Sequence, residues 1–293
     1  MTGSDSDKVV NTGWAGRFLN NVYPDFPFNY PNKVMPDPLA IQVGSVVSTT
    51  FQGPTFTMGL AISNPANFYN LIEGKVNIDS PTRWGEQLNY IEEMAQKTDQ
   101  YSMVIKQAAL KVVRQSNKYP EQGKNPLADQ LKVVARLIAG GLKTKVYMVN
   151  TGSFDTHAKQ TDDADKTIGT HANLLKRVSE AINVFMDDLT YLRIGDRVMG
   201  MTFSEFGRRI KSNASGGTDH GVAAPLFYFG HKIKNNVFGV NPIIKSISTV
   251  NDNIPMQNDF RSVYSSILKQ WFTLEQNDVN NVLLGNFSNL AMA

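Results

Sequence analysis

Residues 165–194 carry Ile168, His171, Leu175, Val178, Ile182, Phe185, Leu189 and Leu192 on one helical stripe. They stop at Gly195-Asp196 and run directly into the apolar stretch Arg197–Phe203, which empties into a polar loop. A helix that feeds a short strand and then a loop is the repeating step of α/β architecture. The step occurs twice. Asn125-Pro126 opens another helix, with Leu127, Leu131, Val134, Leu137 and Ile138 on its stripe and Gly140-Gly141 as its stop, and the strand candidate Lys145–Val149 follows. This succession predicts an α/β fold with a mostly parallel sheet flanked by helices.

The remaining chain fits around that frame. From Ser80-Pro81-Thr82-Arg83 onward, Leu88, Ile91, Tyr101, Ile105, Ala108 and Val112 predict a long helix ending before Tyr119-Pro120. Ala223–Phe229 reads as a third strand, Ile243–Ile247 as an edge strand, and 258–272 as a last helix with Phe260, Val263, Tyr264, Ile267, Leu268 and Trp271 inward. The first third differs in character. Residues 23–40 hold five prolines, and 48–63 alternate loosely, as a hairpin would. Ile41–Val47 is a strand candidate, and residues 11–19 open a short helix with Thr12 as N-cap. The expected organisation is a loop-rich N-terminal cap over 1–80 and an α/β core over 81–293, integrated as one domain.

Composition removes several function classes. A chain of 293 residues with 41% hydrophobic content can bury a sizeable core. The net charge of +3, with no clustered basic run, argues against nucleic acid as a partner. The absence of cysteine excludes a disulfide scaffold, a thiolate zinc site and a cysteine nucleophile, and is compatible with export. No apolar run approaches the ~18 residues of a membrane span. The first thirty residues contain no signal-peptide-like apolar segment. No phosphate-binding glycine loop, GxSxG or HExxH is present.

The chemistry-bearing residues collect behind the predicted strand ends, where α/β proteins place their sites. Asp155 and His157 stand two apart; on extended backbone both would leave on one face, as half of a metal site. The same pair also suits a capping aspartate beside an ordinary loop histidine. Asp219-His220, flanked by Gly216-Gly217 and Gly221, reaches a common centre only from a tight turn, and equally suits a plain surface turn. Glu205 follows the 197–203 strand and could serve as ligand, general base or partner of Arg208 in an ion pair. Arg208 or Arg209 could hold an anionic substrate group. His171 reads as a hydrogen-bonded core histidine and His231 as a solvated loop residue. Asp162, Asp163 and Asp165 complement a helix dipole. Asn213, Lys211 and Lys232 are weak candidates for substrate contacts.

In chain order the set runs Ser153-Phe154-Asp155-Thr156-His157-Ala158-Lys159-Gln160, then His171-Ala172-Asn173, Thr202-Phe203-Ser204-Glu205-Phe206-Gly207-Arg208, Asn213, Gly217-Thr218-Asp219-His220-Gly221 and Asp259-Phe260-Arg261 with Trp271. So ordered, it resembles the DUF1501 family of bacterial proteins, placed in the alkaline phosphatase/sulfatase superfamily. Asn11-Thr12-Gly13-Trp14-Ala15-Gly16-Arg17 is similar to a middle segment of that family. The likeness is thin over 24–80 and strong over 145–272. It implies an alkaline-phosphatase-like fold and a divalent-metal site for Zn, Mn, Ca or Mg. Asp155 and His157 would supply one metal position and Asp219 and His220 another, with Glu205 beside them. The substrate would be a small anionic ester of phosphate or sulfate, and the compartment the periplasm or cell surface. The resemblance also implies a GGND-like loop ahead of the Thr12–Arg17 run, which is not in this sequence. The expectation is therefore a truncated, inactive form without a nameable nucleophile; Ser204 and Thr151, the nearest hydroxyls, read as structural. The alternative is a non-catalytic cell-surface or assembly protein that keeps the fold and leaves room for a protein partner.

Overall fold

A computed structural model describes residues 2–5, 7–63, 100–234 and 237–292. The chain divides into two compact units, one of Thr2 and Val9–Asn150 and one of Gly3–Lys8 and Thr151–Ala293. They are called below the sheet unit and the loop unit.

The sheet unit is built on a three-stranded parallel sheet of β1 (Ala40–Val43), β2 (Gly59–Ile62) and β3 (Val146–Met148). β1 lies in the middle, with Ala40 opposite both Gly59 and Val146. All four residues of β1 are buried, as a strand covered on both faces must be. Its one polar side chain, Gln42, accepts the Ser48 backbone N–H at 2.6 Å. Helix α1 (Trp14–Val22), the helical residues 100–111 (α2) and α3 (Pro126–Ala139) complete the unit. Ile41, Ile62, Tyr101, Ile105, Ala108, Leu137 and Leu142 form one buried cluster. Asn125 caps α3, accepting the Ala128 N–H, and Pro126 occupies its first turn.

Three details differ from the sequence reading. The cap of α1 is Gly13, not Thr12; glycine is needed there, because a Cβ at 13 would stand 2.1 Å from the Thr50 carbonyl oxygen. Thr12 instead accepts the Arg17 guanidinium on both its carbonyl and its hydroxyl, each at 2.9 Å. The hairpin expected over 48–63 is confined to 51–58: Gln52 and Thr57 bridge antiparallel, Gly53 N–H donates to Phe56 O and Met58 N–H to Phe51 O, each at 2.9 Å, and the chain then enters β2, parallel to β1. The turn buries Phe51 and Met58. The first third thus contributes the central strand of the parallel sheet. The expected boundary between residues 80 and 81, and most of the expected helix beyond it, lie outside the described residues.

The loop unit holds the long helix α4 (Thr170–Tyr191) and two short antiparallel ladders. β4 (Met199–Met201) pairs with β7 (Tyr228–Gly230), and β5 (Gly207–Arg208) with β6 (His220–Gly221). Helix α5 (Phe260–Ser266) continues as a π turn over Ile267–Trp271, and α6 (Gln276–Leu283) packs against it through Val279, Val282 and Leu283.

The expected parallel sheet is present but small, the three strands of the sheet unit, and the strand runs of the loop unit are not part of it. The runs 197–203 and 223–229 meet as an antiparallel pair, since a loop rather than a crossover helix joins them. Ile243–Ile247 forms no strand; Ile243 is 93% exposed and Ile247 88%. Helix α4 begins five residues later than its stripe suggests. Asp162 Oδ1 accepts the N–H groups of Ala164 and Asp165, and Asp165 that of Thr167, so local side-chain bonds replace helix there. The buried face uses Leu174, Ala181, Phe185 and Leu189, leaving Leu175 exposed. Phe260, expected inward, is also exposed. No helix among the described residues is long and apolar enough to cross a membrane.

Candidate metal centre

The centre is assembled where two loops of the loop unit pair. Residues 156–160 lie against 215–218: Lys159 N–H donates to Ser215 O at 3.1 Å, Gln160 N–H to Gly216 O at 2.9 Å, and Thr218 N–H to Thr156 O at 3.3 Å. Gly217 is required at this crossing, because a Cβ there would stand 2.2 Å from the carbonyl carbon of His157. Thr156 and Thr218 are buried, and both hydroxyls donate to Gln160 Oε1, at 3.2 and 2.7 Å.

Asp155 and His157 converge by a different route from the extended one expected. Thr156 N–H bonds Phe154 O and His157 N–H bonds Asp155 O, so two overlapping three-residue γ-turns bend the chain. Asp155 Oδ1 then lies 2.9 Å from His157 Nε2 and 2.7 Å from His220 Nε2. One carboxylate oxygen and two imidazole nitrogens thus share a centre, each within 4.8 Å of the others. Asp219 is not in that group. It sits behind His157, with Oδ1 3.1 Å from Nδ1 and accepting from Asn213 Nδ2 at 3.1 Å. The two motifs therefore interleave: His220 joins Asp155, while Asp219 turns to His157. Asp219 stands just before β6 and His220 opens it, and neighbouring side chains of extended chain leave on opposite sides, in keeping with the exchange.

His157 is bracketed by carboxylate oxygens on both ring nitrogens. A neutral imidazole has one N–H, so both contacts are satisfied only when a second proton or a cation lies on the Nε2 side. The His220 hydrogen bond, then the charges of His157, His220 and Arg208, hold the Asp155 carboxyl below its ordinary pKa. The Asn213 hydrogen bond first, and then that of His157, do the same for Asp219. Asp155 is exposed and Asp219 partly so, and water screens these effects.

Phe206 was not foreseen. Its ring stacks on His220 at 3.8 Å between centroids and 8° between planes, with the Arg208 guanidinium 5.0 Å from the Phe206 centroid. The signal for it was available: residues 206 and 208 alternate onto one face of the segment that becomes β5. Asn213 is a loop organiser rather than a substrate contact. It donates to His157 O at 3.0 Å and accepts the N–H groups of Ser215 and Gly217. Gln160 gave no sequence signal.

The other candidates fall as follows. Arg208 donates to the carbonyls of Thr218 and Phe154 and to Asp155. Arg209 donates to His220 O, Val250 O and Asn251. Both arginines tie loops together. Glu205 is exposed and outside the ligand group. The Ser204 hydroxyl donates to Phe206 O. His171 is half-buried, edge-on to Phe154 at 6.0 Å, and its Nδ1 has no hydrogen-bond partner among the described residues. Burial, and then the Arg208 charge, lower its pKa. His231 is not a free loop residue: its Nε2 lies 3.1 Å from Thr190 Oγ1, and its ring fills the space a Cβ at Gly195 would need.

The donor set fits a divalent cation. Ligand atoms around one ion at ~2.0–2.2 Å stand ~3.4 Å apart in a tetrahedron; here the carboxylate oxygen stands 2.9 and 2.7 Å from the two nitrogens, at hydrogen-bond spacing, and all three atoms lie within 4.8 Å of one another, so a cation would part them by under 1 Å. Two imidazoles with one carboxylate favour Zn²⁺ or Mn²⁺ over Ca²⁺ or Mg²⁺, which select all-oxygen sites.

The model of one family, described as protein of unknown function (DUF1501), matches residues 6–280, and the chain belongs to that family. No curated protein and no solved structure matches it.

Proposed function

We propose that this member of the DUF1501 family is a divalent-metal-binding protein of the alkaline phosphatase/sulfatase kind, related to enzymes that hydrolyse phosphate or sulfate esters. The observation that carries the reading is the convergence of Asp155, His157 and His220 from two separate loops onto one point, with Asp219 behind His157. A carboxylate on the far nitrogen of a ligating histidine orients the ring and raises its basicity. A bound cation would polarise an ester oxygen and lower the pKa of a coordinated water. The protein's own part is to hold the site. Asp155 supplies the anionic ligand, kept ionised by His220. Asp219 fixes the proton of His157 on Nδ1, leaving Nε2 toward the centre. Phe206 holds the plane of His220. All three ligand residues are exposed, which would leave a coordination position for water or a small anionic ester. Export to the periplasm or cell surface belongs to the same proposal.

Titration of the purified protein with Zn²⁺, Mn²⁺, Ca²⁺ and Mg²⁺ tests the metal reading. One equivalent of Zn²⁺ or Mn²⁺ is expected to bind, weakened at least about tenfold in Asp155→Ala and His220→Ala. Failure of every cation to bind sinks it. Turnover of p-nitrophenyl phosphate or sulfate, lost in Asp155→Ala, tests the hydrolase reading separately.

A second reading, a non-catalytic surface or assembly protein that keeps the metal, is favoured by one observation. Arg208, Arg209 and Ser204 are all engaged within the protein, so no free cation or hydroxyl among them faces a substrate. Metal binding without ester turnover would select this reading.

A further inference from the structure

One loop of the loop unit gathers aliphatic side chains in solvent. Val237, Val240, Ile243, Ile244 and Ile247 are 85%, 78%, 93%, 52% and 88% exposed. Single exposed aliphatics are ordinary on a protein surface, whereas a cluster marks a surface that meets something. The loop is anchored at both ends. The Gln257 side chain accepts the Val240 N–H and donates to the Val240 carbonyl, each at 2.7 Å, and Asn258 Nδ2 donates to Phe238 O at 3.3 Å. At the far end Asp252 accepts the Thr249 N–H at 2.6 Å, and Arg209 donates to Val250 O at 3.2 Å. Between these anchors the N–H groups of residues 243–247 have no hydrogen-bond partner among the described residues. The charge of the loop has one sign. From His220 to Asn251 the chain carries no aspartate or glutamate, in a sequence with 26 of them. Lys232, Lys234 and Lys245 lie in that stretch and are exposed. The carboxylate that follows, Asp252, is bonded to Thr249 and feels the positive charges of Lys245 and Lys211.

We propose that residues 237–250 form a lipid-docking loop, which seats its aliphatic side chains in the headgroup layer of a bilayer rich in anionic lipid while the lysines of the stretch meet lipid phosphates. Aliphatic side chains accompanied by lysine and free of acid match a negatively charged interface. A protein partner fits less well. Residues 231–250 hold no Arg, Tyr or Trp, the side chains that anchor protein interfaces, and lysine is depleted from such interfaces. Insertion stays shallow, because the unpaired N–H groups of 243–247 need water or lipid phosphate as acceptors and would be orphaned in the hydrocarbon core. None of these residues is a ligand of the metal centre, so docking and metal binding are separable.

The test is flotation of the full chain with vesicles of phosphatidylcholine alone and of phosphatidylcholine mixed with phosphatidylglycerol. Binding is expected to the mixed vesicles only, and should weaken as salt is raised. Ile243→Ser combined with Ile247→Ser should weaken it at least about tenfold, and Lys245→Gln about fivefold. All three side chains are exposed, so the fold tolerates their loss. Val113→Ser, which replaces a similarly exposed valine of the sheet unit, should bind as wild type does. The proposal is overturned if wild-type protein ignores the mixed vesicles, if both vesicles are bound alike, if the double serine variant binds as before, or if Val113→Ser loses as much. Self-association of the wild-type chain without vesicle binding, abolished in the double variant, would overturn it in favour of a second copy as the occupant.

Discussion

The two units are held together by different physics. In the sheet unit a four-residue strand is buried along its whole length, and its neighbours are fixed by apolar packing of Ile41, Ile62, Ile105 and Leu137. In the loop unit the metal centre rests on side-chain hydrogen bonds from Asn213, Gln160 and Arg208 to loop backbone and hydroxyl groups, and its ligands are exposed. Apolar packing gives stability without directional precision, whereas hydrogen bonds to carbonyls give direction at little net stability. The contrast teaches where substitutions act: in the sheet unit on the fold, in the loop unit on the site.

The largest expected effect on stability is therefore in the sheet. Ile41→Ala removes a fully buried side chain from the central strand and should cost about 2–5 kcal/mol in denaturant unfolding. Zn²⁺ affinity of the folded fraction should stay within roughly twofold, as expected for sites that share no partners. The reverse case is Gly217→Ala. Its Cβ meets the His157 backbone, which cannot yield as a flexible side chain can, so the loops must part. Zn²⁺ affinity should fall about 10–100-fold, with a smaller loss of stability than for Ile41→Ala. If the glycine change unfolds the protein as badly as the isoleucine change, the contrast between the units fails.

How much of this was legible in the sequence follows the same division. Helix α3 was readable to the residue at its start, because Asn125-Pro126 is a local chemical signal. The central position of β1 was not. Four residues including a glutamine carry no periodicity, and Gln42 is tolerated only because Ser48 comes round to meet it. Strand direction was unreadable for 197–203 and 223–229, since the apolar pattern of a strand does not say which way its neighbour runs. In the centre, residue type pointed to Asp155, His157, Asp219 and His220. The pairing did not, because it depends on the approach of two loops at Gly217 and on the opposed directions of Asp219 and His220 where β6 begins. Glu205 was a candidate by position behind a strand, and position alone left it in solvent.

A smaller effect sharpens the comparison from the side of the loops. Asn213→Ala removes the bonds to Asp219, to the His157 carbonyl and to the turn at 215–217. Zn²⁺ affinity should drop about tenfold, as it does when partners of metal ligands are removed. The thermal midpoint should move by no more than about 2 °C, because the residue is only part-buried. A midpoint shift as large as that of Ile41→Ala would mean that the loop network holds the fold as well as the site.

The smallest expected effect separates the units by pH. Asp155 and Asp219 have depressed carboxyl pKa values. Their contribution is fully present above the unfolded value near 3.8 and is lost as pH falls through the lower folded values. They therefore shape only the acid limb, and weakly, because neither is buried. Tyr101 has a raised pKa from burial. Its phenol is neutral in both states below about pH 10, and above that the unfolded chain ionises first, so stability is lost as pH rises. Tyr264 in the loop unit, pushed up to about 12 by burial, acts in the same direction. Tyr101→Phe should thus flatten the alkaline limb in part and leave the acid limb untouched. At neutral pH it should leave the midpoint equal or higher, since the lost hydroxyl made no bond. A lower midpoint at neutral pH would show that the hydroxyl is bonded.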